Sequence, residues 1–271
     1  MGARTGISLS HLTFVAFDVE TTGLDSQRDK IVQVGAARFD CRGVGETYEQ
    51  FVNPGCRVPE EALDIHGITD AMLAGSPPIR DVLPRVVRFF GDSVLVAHNA
   101  PFDIGFFEAA FAEAGVEPPP NPVLCTRELA HRIFPGLPDY KLTTLVRVLD
   151  IPAGRHHRAL ADASSDAEVF RRCIERIDPE WHMSFGDLLA HHGSPFRFGA
   201  VSARALNAIM EALEGHTSIR IEYRDARGKS SVRDITPVSV EERGRYVHVI
   251  AFCHLRGQNR TFRLDSITRI L

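Results

Sequence analysis

Apolar and polar positions change rhythm along the chain, and the changes mark its elements. Leu12 to Phe17 is a run of apolar, β-branched and aromatic residues, which predicts a buried strand. Ile31 to Phe39 predicts a second strand and Thr47 to Val52 a third, so the chain opens as a meander. Pro84 to Phe90 has the spacing of the end of an amphipathic helix, and Ser93 to Ala97 is again a buried strand. Asn99-Ala100-Pro101-Phe102 then carries a helix-start signal, because Asn caps and an early Pro costs no helical hydrogen bond. That helix runs through Phe106, Phe107, Ala110 and Phe111 to about Gly115, and Pro118-Pro119-Pro120 makes a stiff loop. Further helices are predicted at Thr126 to Ile133, Lys141 to Leu149 and Ala159 to Ile177. Strands followed by strand–helix alternation predict an α/β fold, a mixed sheet flanked by helices.

The pattern breaks after Asp178-Pro179. Residues 179–201 mix Gly, His, Pro and Phe with no period and read as a linker, its His182, His191 and His192 facing solvent. A helix from Ala203 to Leu213 follows, then strand patterns at Ser218 to Tyr223, Ser231 to Ile235, Tyr246 to Cys253 and Thr261 to Leu264. One helix and several short strands predict a small β-barrel. The organisation is thus a first domain over residues 10–178, a linker over 179–201 and a second domain over 202–271.

Charge supports that division. Residues 200–271 hold 12 Lys+Arg against 8 Asp+Glu, a balance of +4, while the preceding 199 residues hold 19 against 27, a balance of −8. An acidic block joined to a basic one implies two jobs. A hydrophobic fraction of 44% excludes a disordered chain. No apolar run is long enough to span a bilayer and the first residues hold no apolar signal core, so a cytoplasmic protein without membrane contact is expected. The five cysteines are scattered, with no Cys-x-x-Cys pair, and are expected to be reduced packing residues.

The chemistry lies in carboxylates. Asp18 and Glu20 stand two apart at the end of the first strand and share one face. Such a pair repels unless divalent cations neutralise it, and hard oxygen ligands suit Mg²⁺ or Mn²⁺. Asp103 lies in the first turn of the helix after the Ser93–Ala97 strand. Asp162 lies one turn into the Ala159–Ile177 helix, with His157 five residues before it.

Together these segments resemble a family. Phe17-Asp18-Val19-Glu20-Thr21-Thr22-Gly23-Leu24, Val96-Ala97-His98-Asn99-Ala100-Pro101-Phe102-Asp103 and His157-Arg158-Ala159-Leu160-Ala161-Asp162-Ala163 resemble, in order and spacing, the three motifs of the DEDD exonucleases. The stretch is similar to the epsilon proofreading subunits of bacterial DNA polymerase III. His157 five residues before Asp162 matches the subfamily with His in the third motif (DEDDh), whereas the subfamily with Tyr has that residue where Arg158 stands; His156 is one residue too far to be the base. The resemblance implies an RNase H-like fold and a 3′–5′ exonuclease that releases nucleoside 5′-monophosphates from the 3′ end of single-stranded DNA. It implies two divalent cations, Mg²⁺ or Mn²⁺, held by Asp18, Glu20, Asp103 and Asp162 about 4 Å apart. His157 would deprotonate the attacking water. Thr21 and Leu24 would touch the terminal nucleotide. His66, in Asp64-Ile65-His66-Gly67-Ile68-Thr69, either touches it or orders its loop; His98 and Asn99 either position the scissile region or, for Asn99, cap the helix.

Residues 203–271 resemble a WYL domain, a small Sm-like β-barrel, through Ile219-Arg220-Ile221-Glu222-Tyr223, Arg233-Asp234-Ile235-Thr236-Pro237, Ala251-Phe252-Cys253-His254-Leu255-Arg256 and Arg260-Thr261-Phe262-Arg263-Leu264. The triplet that names the domain departs here to Val247-His248-Val249. The resemblance implies a single-stranded nucleic-acid or nucleotide ligand at Arg260 and Arg263, which alternation puts on opposite faces of their strand. The partner readings are a polymerase complex or a repair complex. RNA as substrate, and a sensing protein with a vestigial nuclease fold, are the alternatives.

Overall fold

The protein was analysed as a computed structural model, which describes residues 5–152, 157–193, 195–198, 202–224, 230–243 and 246–271. His156 and part of the proposed linker lie outside these residues. Chain contacts divide the molecule into two units, residues 1–198 and 199–271. No helix among the described residues is long and apolar enough to cross a membrane.

The first unit opens with β1 (Phe14–Thr21), β2 (Ile31–Asp40) and β3 (Gly43–Phe51). There follow α1 (Glu60–His66), α2 (Asp70–Leu73), α3 (Ile79–Phe90), β4 (Val94–Ala97), α4 (Ala100–Ala114) and β5 (Val123–Cys125). It ends with α5 (Thr126–Ile133), α6 (Leu142–Val148), α7 (Ala159–Ile177) and α8 (Phe185–His192). The five strands lie in the order β3-β2-β1-β4-β5. β1, β2 and β3 pair antiparallel, and β4 and β5 join parallel to β1. The predicted mixed α/β sheet is therefore present.

Alternation along β1 sorts its residues between two cores. Phe14 and Ala16 belong to a cluster with Phe39, Phe170, Trp181 and Phe185, beneath α5, α7 and α8. On the other face Phe17 meets the rings of Phe90 and Phe107, at centroid distances of 5.3 and 5.7 Å, beneath α3 and α4. The α7 face of β1 thus continues from Phe14 and Ala16 to Asp18 and Glu20.

What lets α7 reach these carboxylates is a missing side chain. Gly35 of β2 lies opposite Asp18 in the ladder. A Cβ on Gly35 would come within 2.1 Å of the Ala159 carbonyl carbon and the Leu160 nitrogen. The first turn of α7 therefore lies directly on the backbone of β2, an approach that only glycine permits. Buried Gln33, opposite Glu20, fastens it: its Oε1 accepts the Ala159 N–H at 3.2 Å, and its Nε2 donates to Glu49 at 2.9 Å.

The linker expectation needs correction. Residues 185–192 form α8, and Trp181, Phe185 and Leu188 are buried in the main cluster. The helix is started by a capping box in which Ser184 and Asp187 satisfy each other's backbone N–H groups. His182 and His191 are exposed as expected, but His192 is fully buried. Its Nε2 accepts the Cys125 N–H at 2.7 Å, which ties α8 to the edge strand β5. All five cysteines are free.

The second unit contains α9 (Ser202–Glu214), β6 (Ile219–Arg224), β7 (Ser230–Arg243), β8 (Tyr246–Cys253), β9 (Gln258–Arg263) and β10 (Ile267–Ile270). Its strand order is β10-β6-β7-β8-β9. β9 and β10 form the two edges and do not pair among the described residues, so the sheet is open there where a closed barrel was expected.

Two outcomes follow for the first unit. Gly35→Ala should cost about 1–3 kcal/mol by overpacking, read as a lower denaturation midpoint, since the atoms it meets are backbone and cannot rotate away. Burial pulls the His192 pKa down to about 4, from an ordinary value near 6.5. The unfolded chain therefore binds the extra proton first, and the stability from neutral His192 is complete above pH 6.5 and lost as pH falls towards 4. Melts across that range should show a decline that His192→Gln makes shallower.

Candidate active site

β1 outruns its parallel partner. β4 pairs with β1 only at Phe14, Val15 and Ala16, and after Ala97 the chain turns into α4. The turn passes through Asn99 in the left-handed region (φ 61°). Beyond this point the N–H of Val19 is taken by Asp103 from the first turn of α4, at 3.1 Å to Oδ1. Asp103 is thereby fixed by the backbone between Asp18 and Glu20.

On the other flank α7 supplies Asp162. One carboxylate oxygen each from Asp18, Glu20 and Asp162 can be drawn within 4.8 Å of one another. Asp162 and Glu20 are buried and Asp18 is half-buried. Asp162 also accepts the backbone N–H of His157, Oδ2 at 2.9 Å, which pins the residue that enters α7. His157 is exposed and held at φ 59°. A non-glycine residue in that region costs on the order of 1–3 kcal/mol, so the position is held by its surroundings.

The electrostatics of the cluster are adverse. Burial pushes Asp18 well above the ordinary carboxylate range, and Asp103, Glu20, Asp162 and Asp166 add to it by repulsion. Asp103 is raised by burial despite its bond from Val19. Glu20 is raised to about 7, by burial and then by Asp162, with Arg158 opposing. Carboxylates gathered like this are hard oxygen donors with too little positive charge among them, which fits a site for a divalent cation of the Mg²⁺ or Mn²⁺ kind.

The structure distributes the other predicted residues unevenly. Thr21 is buried, with its hydroxyl donating to the Gly23 carbonyl at 2.6 Å, while Leu24 is 77% exposed on the loop beyond. His66 is buried; its Nδ1 accepts from the Ile68 N–H at 2.9 Å, so Nε2 carries the hydrogen that faces the Thr21 carbonyl at 3.3 Å. It orders the loop and holds the backbone just after Glu20. His98 has both ring nitrogens engaged, Nδ1 with the Thr126 hydroxyl and Nε2 with the Tyr140 carbonyl, each at 2.9 Å. Asn99 occupies the N-cap position, but its side chain makes no cap bond; its Oδ1 faces Arg127 at 3.5 Å.

In the second unit Arg260 is exposed opposite Ala251, and Arg263 is half-buried opposite His248. Phe262 is buried on the face that Arg260 shares by alternation.

Sequence reasoning missed three contributors. Gln33 and Gly35 are the polar residue and the glycine inside an otherwise apolar strand run, and each was a readable signal. Asp166 stands one turn beyond Asp162 and is buried, its Oδ1 accepting from the Thr126 hydroxyl.

A parallel-strand end with buried carboxylates from β1, α4 and α7 around a cation position defines a class, the metal-dependent nucleases. The chain belongs to the exonuclease family RNase_T, whose profile matches residues 15–170, and it carries a WYL domain matching residues 204–270. A PolC-type DNA polymerase III from Bacillus cereus is 34% identical over 203 residues, which are 74% of this chain and 14% of the polymerase. The chain therefore spans about one-seventh of that relative's length. The structure of Exonuclease X in complex with 5′ overhanging duplex DNA is 28% identical, with a TM-score of 0.51 over 65% of this chain and 98% of that one. The nuclease domain of 3′hExo, a DEDDh family member bound to rAMP, shares the fold at 17% identity and a TM-score of 0.55, over 60% of this chain and 92% of that one.

Removing one repelling carboxylate separates stability from function. Asp18→Asn should melt higher than wild type in the absence of divalent cations, because a like charge has been taken from a buried cluster. It should lose cleavage and the rise in melting temperature on adding Mn²⁺. Because Glu20 holds its proton up to about pH 7, cations and protons compete for it, and Mn²⁺ affinity of the wild type should climb as pH rises through 7.

Proposed function

We propose that this chain trims single-stranded DNA from its 3′ end with two divalent cations, releasing one nucleoside 5′-monophosphate per cut, and that the WYL unit grips nucleic acid or senses a nucleotide. The observation that carries the reading is the cluster of Asp18, Glu20 and Asp162 beside the backbone-anchored Asp103. Those residues would hold the cations. When bound, the cations supply charge stabilisation at the attacking and leaving oxygens.

The rest falls to the protein. His157, exposed at the entrance to α7 and tethered to Asp162, takes the proton of the attacking water. The His66 bond to the Thr21 carbonyl stiffens the backbone on which the terminal nucleotide rests, and exposed Leu24 packs against its base. His98 and Asn99 act from behind, through α4. Deoxyribose is the preferred sugar: the relatives are DNA polymerases by name, and the Exonuclease X structure contains duplex DNA. A polymerase or repair complex in the cytoplasm is the setting this reading gives. We further propose that Arg260 tracks the phosphate backbone, with Arg263 on the opposite face.

The test is digestion of 5′-labelled single-stranded DNA, duplex DNA and RNA with Mg²⁺ or Mn²⁺. Laddering from the 3′ end of single-stranded DNA is expected; a ladder confined to RNA would overturn the sugar assignment. His157→Ala should lose about 10²–10⁴ in rate and recover in part at high pH, where hydroxide replaces the base. Arg260→Ala should flatten the salt dependence of binding by a slope of about 0.7 while the turnover number stays near wild type.

A further inference from the structure

Beside the carboxylates lies a second polar chain, buried at Asp166 and Thr126 and largely covered at His98. Asp166 is 1% exposed and Thr126 is not exposed at all. The Thr126 hydroxyl bonds Asp166 Oδ1 and also lies 2.9 Å from His98 Nδ1, while His98 Nε2 reaches the Tyr140 carbonyl at 2.9 Å. Asp166 Oδ2 is buried with no hydrogen-bond partner among the described residues. The Tyr140 carbonyl can only accept, so His98 Nε2 carries a hydrogen. One further proton then closes the chain, on His98 or on Asp166, and both arrangements are net neutral. A chain of this kind tolerates burial only when every member is in place.

Its ends are attached to the site. His98 ends the β4 crossover and leads into α4, which carries Asp103. Asp166 stands one turn after Asp162 on α7, and Thr126 is the first residue of α5, between them in sequence. We propose that Asp166, Thr126 and His98 are positioning residues: their buried hydrogen-bond chain locks the segment of Asp103 to the segment of Asp162 and so sets the carboxylate spacing that receives the divalent cation. The inference rests on the metal reading given above. Groups that orient metal ligands from behind are worth 10–100-fold in metal affinity.

The test measures Mn²⁺ affinity of the full chain by the EPR signal of free Mn²⁺, well below the melting temperature. Thr126→Val keeps the shape and removes both bonds, and is expected to weaken Mn²⁺ about 10–100-fold. Thr126→Ser restores the hydroxyl and is expected to recover most of that loss, which a change of packing alone would not do. Wild-type affinity in Thr126→Val would overturn the proposal. Should that variant fail to fold, Asp166→Asn and Asp166→Ala decide. Asn retains a group that donates to and accepts from Thr126, so it should bind Mn²⁺ more tightly than Ala. Equal losses from Asn and Ala would assign the effect to the negative charge and overturn the hydrogen-bond chain. A wild-type chain that binds no Mn²⁺ at all would sink the metal reading itself, and this inference with it.

Discussion

The approach of α7 to β2 at Gly35 is the contact on which the active site depends. Asp18 and Glu20 are placed by the alternation of β1, and Asp103 by the turn that ends β4. Asp162 comes from α7, more than a hundred residues beyond β1, and its position is set by how close that helix lies to the sheet. With any side chain at Gly35 the backbone of Ala159 and Leu160 would have to withdraw. Gln33 supplies the directional part of the same contact by capping the Ala159 N–H. A two-residue interval on β2, polar then glycine, thereby fixes both distance and angle for the third motif.

That geometry is bought against electrostatics. Burial and mutual repulsion hold Asp18, Glu20 and Asp103 towards their protonated forms, and nothing among the described residues neutralises the whole cluster. The fold therefore has to spend stability from elsewhere to keep the cluster together. The aromatic clusters on the two faces of β1 are where that stability arises, since large rings bury the most apolar surface per residue. Phe14 and Phe17 stand four and one positions before Asp18 on the same strand, so the strand that carries the adverse charges is also heavily packed on both faces. A cation entering such a site would relieve that repulsion, and its binding would then be linked to the folding of this unit.

How much of this was legible in the sequence follows from the kind of signal each part carries. β1, β2 and β4 announce themselves as apolar runs and α4 and α7 by helical period, and the three motifs sit at their ends, so the carboxylates and His157 could be named from those motifs and the family they resemble. β5 and β10 span three and four residues, too few for any period to develop. α8 lay hidden in a Gly- and His-rich stretch, although its capping box, Ser184 and Asp187 three apart, is a local signal. Burial of His192 could not be inferred, because it depends on a partner, the Cys125 N–H, remote in sequence. The same limit applies to His98: a histidine in a motif suggests contact with substrate, and only the structure shows both nitrogens committed inward.

His98 and His66 point to a division of labour within the site. Beside each carboxylate-bearing segment stands a buried polar side chain that holds its backbone or its neighbour's from behind. His66 holds Thr21, His98 stands at the head of the segment that carries Asp103, and Gln33 caps the segment that carries Asp162. These supports engage main-chain groups at three points, the Thr21 and Tyr140 carbonyls and the Ala159 N–H, and main-chain groups move less than side chains do. Carboxylates that repel one another would drift apart on flexible supports. Anchoring them through the backbone limits that drift before any cation arrives, which is how a preorganised binding site is built.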